Sequence, residues 1–166
     1  MAWINKDGLR VLFASEEAAD AAIGEYGDFD PGSTHLVQLE LNPEVLDAVE
    51  KKVHYAVRLP GSNGKTCFLK QAEVYVETPF DSAGDAFTLT IGLDNVDGTV
   101  YDEDGIDAAI AQAAMDAVGD TVACDGAKVE TRLDNTKALH VTTTVGGAVP
   151  TAGKGWLRIW YYLTNE

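Results

Sequence analysis

Positive charge is scarce in this sequence. Twelve Lys and Arg stand against 27 Asp and Glu, a formal net charge of -15 over 166 residues. Nucleic acid is excluded as a partner, because phosphate binding needs clustered Lys and Arg. An anionic membrane surface is repelled for the same reason. The surplus of carboxylates suits high solubility or docking onto a basic partner. Cysteine is almost absent: Cys67 and Cys124 fit no zinc-ligand spacing and are expected to sit reduced in the core. Long apolar runs are missing too, so no transmembrane helix is expected, and the opening MAWINKDGLR lacks the apolar stretch of a signal peptide.

The residues of common catalytic constellations are equally thin. The three histidines, His35, His54 and His140, fall on polar faces of strands or at a strand start, with no paired spacing that would make a metal site. No G-x-S-x-G elbow is present. The segment RLPGSNGKTCFL, Arg58 to Leu69, contains Gly-Lys-Thr but fails as a phosphate-binding loop. The motif requires glycine where Leu59 stands, and the following TCFLKQAEVYVET alternates like a strand, where a helix must open. It reads instead as a hairpin turn. No enzyme is expected.

What the chain has is alternation. FTLTIG puts Phe87, Leu89 and Ile91 on one face, and ALHVTTTV does the same with Leu139, Val141, Thr143 and Val145. VHYAVRL, HLVQLEL and EVYVET follow the same rule, with Val53, Tyr55 and Val57, then Val37, Leu39 and Leu41, then Val74 and Val76 on their apolar faces. These are half-buried strands of antiparallel sheets. WLRIWYYL carries bulk on both faces, so it is central or covered by a partner. DEDGIDAAIAQAAMDAVGD has Ile106, Ala109, Ile110, Ala113 and Ala117 at helical spacing and Gly119 as a stop, and predicts a helix at about 103–118. SEEAADAAIG predicts a short helix capped by Ser15, and Asn42-Pro43 fits a helix start. The expected architecture is mainly β: an antiparallel β-sandwich of jelly-roll type over residues 52–166 with one inserted α-helix, behind an N-terminal arm or small subdomain at 1–51.

Two groups of residues are candidate sites. The acidic segment LDNVDGTVYDEDG offers Asp94, Asp97, Asp102, Glu103 and Asp104, hard oxygens suited to Ca²⁺, although the EF-hand register fails at both glycines. No other cofactor is expected. Trp156, Trp160 and Tyr162 share one face of the last strand. They suit a subunit interface, a glycan-stacking platform, or the second core face of a central strand.

Some stretches resemble a known family. The opening MAWINKDGLRVLFASEEA is similar to the start of small structural proteins of tailed bacteriophages. LKQAEVYVETPFDSAGDAFTLTIGL resembles the V-x-V-x-T-x-F-D…L-T-(I/V)-G signature of phage head decoration, or capsid cement, proteins, and GGAVPTAGKGWLRIWYYL resembles the end of the same sandwich. Residues 93–130 fit less well. The resemblance implies a mechanical role. Made in the host cytoplasm, such a protein binds the outer surface of the capsid, commonly as a homotrimer, and clamps neighbouring major capsid subunits. It also implies that Trp3, Ile4 and Leu9 reach the capsid or a neighbour. A carbohydrate-binding or adhesin module, or another head or tail component of low copy number, remains the competing reading.

Overall fold

The computed structural model describes residues 34–61, 65–134 and 137–165, together with two short strands near the N-terminus. Those two, β1 (Trp3–Ile4) and β2 (Val11–Leu12), pair antiparallel. The remaining strands are β3 (His35–Leu41), β4 (Lys52–Leu59), β5 (Lys65–Ser82), β6 (Phe87–Asn95), β7 (Val100–Ala111), β8 (Thr121–Ala123), β9 (Thr131–Arg132), β10 (Leu139–Gly147) and β11 (Pro150–Asn165). They form two antiparallel sheets. The smaller has the order β4-β10-β6-β7; the larger has β3-β11-β5-β8, with β9 also paired to β5.

Alternation along each strand decides what is buried. In the smaller sheet Phe87, Leu89, Ile91, Leu93, Leu139, Val141, Thr143 and Val145 point inward. In the larger sheet Val37, Leu39, Leu41, Val74, Val76, Leu157 and Ile159 do the same. Residues of both sheets belong to one hydrophobic core, a sandwich-like arrangement. Strand β3 pairs with β11 from Leu41↔Gly155 to His35↔Tyr161, so this part of the segment before residue 52 is an edge of the larger sheet. Asn42 caps the turn that follows, its Oδ1 accepting the Val45 N–H at 3.0 Å.

Strands β4 and β5 lie in different sheets, so they do not pair as the expected hairpin. The expected hairpin at Asp81–Asp85 is a crossing, from β5 to β6. It is pinned by the buried Ser82, whose hydroxyl donates to Gln112 Oε1 at 2.6 Å and accepts the Phe87 N–H at 3.0 Å. Gly147, at φ +69°, closes the next corner, where any Cβ would run into the Ala86 carbonyl.

The α-helix expected over 103–118 does not form. Residues 100–111 are strand β7, followed by a single 3₁₀ turn at Gln112–Ala114, and no α-helix occurs among the described residues. The helical spacing has another cause. Leu89 faces Ile110 and Ile91 faces Asp107, so β7 has one residue more than β6 over that interval. Leu93 then faces Asp102, which adds a larger bulge. A bulge shifts the phase of alternation, so Asp107 and Ile110, three apart, are both buried. The bulge folds over Gly92, where a Cβ would collide with the Glu103 carbonyl. The expected helix at Ser15 lies outside the described residues.

Candidate functional site

The outer face of the larger sheet is built around β11, which lies between β3 and β5. The register sets Trp156 between Glu40 and Tyr75, Arg158 between Gln38 and Glu73, and Trp160 between Leu36 and Gln71. Trp160 is opposite Gln71 and Tyr161 is opposite Leu69, so Lys70 is an extra residue and β5 bulges there. Beyond the bulge Phe68 emerges on the outer face and stacks on Tyr162, ring centres 4.8 Å apart.

Charged side chains thread between these rings. Arg158 lies over Tyr75 at 4.3 Å and pairs with Glu73 at 3.2 Å. Glu77 accepts the Trp156 indole N–H at 3.1 Å and pairs with Lys154 at 3.0 Å. These contacts hold the Glu77 carboxyl below the ordinary carboxylate range. Trp156, Tyr75, Phe68 and Tyr162 are thus held in orientation, and these rings and Trp160 remain partly open to solvent. Such a face offers large contact area with little side-chain entropy left to lose.

Of the other interface candidates, Trp3 and Ile4 lie in β1, and Leu9 is outside the described residues. The four aspartates considered for Ca²⁺ are dispersed. Asp94 is buried, its carboxylate taken by Lys52 Nζ at 3.1 Å and His54 Nε2 at 2.8 Å. Asp97 accepts from the Thr99 N–H and hydroxyl in a local turn. Asp102 pairs with Lys128 at 3.5 Å, and Asp104 is exposed. Among the described residues no three His, Cys, Asp or Glu side chains gather at metal-ligand spacing.

The outer face of the smaller sheet has a different character. It carries Thr88, Thr90, Thr142 and Thr144, with Lys52 and His54 crossing β10 to reach Asp94 on β6. His140 lies beside this cluster, its ring edge-on to His54 at 5.8 Å. His35 stands apart in the larger sheet, 5.3 Å from the Tyr161 ring. Both cysteines are free and buried; burial raises the Cys67 thiol, and burial with the nearby Asp107, Asp125 and Glu73 charges pushes Cys124 up to about 12.

Phe68, Tyr75 and the His54–Asp94–His140 grouping were not evident in the sequence. Tyr75 is signalled by its outward parity beside Val74 and Val76. The histidine grouping joins three strands and has no local signature.

No family model and no curated protein matches the sequence. Two solved structures share the fold. A chain from the capsid of Ralstonia phage GP4 has 15% identity and a TM-score of 0.57, covering 83% of this chain and 89% of its own. A chain from the acidic stable capsid structure of Helicobacter pylori bacteriophage KHP30 has 14% identity and a TM-score of 0.52, covering 82% of this chain and 96% of its own. At these identities the likeness is one of fold. The architecture of this chain is therefore similar to that of chains found in phage capsids.

Proposed function

We propose that the protein is a structural virion component that binds the outer surface of a phage capsid, as a homotrimer, and stabilises contacts between major capsid subunits. One observation carries this reading: the fold is shared with two capsid chains over nearly their whole length, so those chains are of about this chain's own size. Alternation of successive strands between the two sheets, β3 to β6 and again β10 to β11, is what a jelly roll requires and supports the same reading. The charge of -15 suits the outside of a shell and is unfavourable on a face turned toward packaged DNA. The row of Trp156, Trp160, Tyr162, Phe68 and Tyr75 supplies the aromatic surface that a docking protein needs.

Quantitative mass spectrometry of purified virions tests the proposal. The expected result is hundreds of copies per particle. About a dozen copies or fewer, the stoichiometry of a symmetric ring at one vertex, would point to a head-completion or tail component. Absence from the particle would overturn a virion role. A glycan-binding module is the second reading, favoured by the same aromatic row. It requires tryptophan fluorescence to respond to at least one member of a glycan panel.

A further inference from the structure

We propose that His54 and His140 form a two-histidine site for a first-row transition-metal dication, of the class that includes Zn²⁺, on the outer face of the smaller sheet. The inference is independent of the capsid reading. It rests on how each imidazole is held. His140 Nδ1 lies 3.0 Å from the Tyr55 backbone carbonyl. A carbonyl only accepts, so Nδ1 carries a proton and, in the neutral ring, Nε2 keeps its lone pair. His54 Nε2 lies 2.8 Å from Asp94 Oδ2. A carboxylate oxygen accepts there, so Nε2 carries a proton and, in the neutral ring, His54 Nδ1 keeps its lone pair.

Each neutral ring therefore donates its N–H to a backbone carbonyl or a carboxylate and leaves one bare nitrogen. That is the arrangement by which metal-binding histidines are oriented and made more basic. The ring centres are 5.8 Å apart. Two imidazoles sharing one ion at about 2.0–2.1 Å per Zn–N bond have centres roughly 5–6 Å apart. Asp94 is 1% exposed and Lys52 Nζ takes its other oxygen at 3.1 Å, so the carboxylate orients His54 and is not itself a ligand. His54 is 41% exposed, which leaves the remaining coordination positions of an ion open to water. Imidazole nitrogens favour Zn²⁺, Ni²⁺ and Cu²⁺ over Ca²⁺ or Mg²⁺.

Titration of the EDTA-treated, desalted full-length chain with ZnCl₂ by calorimetry tests the site. The expected result is saturable binding of one Zn²⁺ per chain that excess Ca²⁺ does not displace. His54→Gln and His140→Gln should each weaken it at least about tenfold, and Asp94→Ala about tenfold through loss of the orienting bond. Long-range ¹H–¹⁵N spectra of the unsubstituted protein give a second readout that does not depend on any variant folding. Without metal, His140 should show the Nδ1–H tautomer and His54 the Nε2–H tautomer; Zn²⁺ should shift His140 Nε2 and His54 Nδ1 and leave His35 unmoved. No saturable binding, unmoved His54 and His140 nitrogens, or affinity unchanged in the doubly substituted protein would overturn the proposal, the last assigning the zinc to surface carboxylates.

Discussion

The two outer faces of the sandwich are made by the same strand alternation and look nothing alike. On the smaller sheet the outward residues include four threonines, with one buried carboxylate held by Lys52 and His54. On the larger sheet they are Trp, Tyr, Phe, Arg and Glu, ordered by cation–π and ionic contacts. Threonines on a pleated surface satisfy themselves with neighbours and water; Thr90, for example, donates to the Ala108 carbonyl at 2.7 Å. Partly exposed tryptophans gain from further burial. The difference teaches that, among the described residues, the row of partly exposed aromatic rings lies on the larger sheet, and on the proposed reading that face meets the shell.

The comparison can be broken most forcefully from beneath. Leu89 and Leu157 are fully buried, one from each sheet, in the same core. Leu89→Ala and Leu157→Ala should each cost about 2–5 kcal/mol of folding stability in chemical denaturation. Two unequal transitions in place of one would separate the layers and defeat the shared core.

A smaller effect separates the faces themselves. Trp160→Ala should weaken assembly or capsid binding by about 2 kcal/mol or more, the scale of an aromatic hot spot. Thr144→Ala, on the opposite face, should leave both unchanged. Light scattering over a concentration series reads the first, and sedimentation with purified shells reads the second. A loss of monomer stability with intact assembly would instead make Trp160 part of the fold.

The smallest expected effect lies at the bulged edge. Burial raises the carboxyl pKa of Asp107, with the neighbouring Asp125 charge adding to it and the Ala109 N–H opposing. The folded state then holds that proton more tightly than the unfolded chain does. The contribution is fully present below the unfolded carboxyl value and is lost as pH rises through the folded one. Asp107→Asn keeps the acceptor for the Ala109 N–H and should give a small gain in melting temperature at neutral pH. That gain should vanish in acid. An equal gain at both pH values would assign it to packing.

Much of this architecture is written in the alternation of single strands. Phe87, Leu89 and Ile91 or Val37, Leu39 and Leu41 can be assigned to the core without any partner in view. The bulges cannot. At Lys70 and in β7 an extra residue reverses the phase, which sends Phe68 outward and buries Asp107 and Ile110 at a spacing of three that imitates a helix. The aromatic face was half legible, because Trp156, Trp160 and Tyr162 share one strand while Phe68 and Tyr75 belong to another. The histidine pair was illegible because residues 54, 94 and 140 meet only through the strand order β4-β10-β6.

Strand β11 closes the larger sheet between β3 and β5, yet of that sheet's described strands it is the last to be made. During synthesis β3 emerges more than a hundred residues before its neighbour and must wait without it, as must most of the 18-residue β5. The order of translation thus imposes a delay. The larger sheet cannot zip until residues 150–165 have left the ribosome. Pairings this distant in sequence also form slowly, because the loop must close before any contact rewards it. Until then two long strand edges stand open, and a nascent chain in that condition is a substrate for holding chaperones.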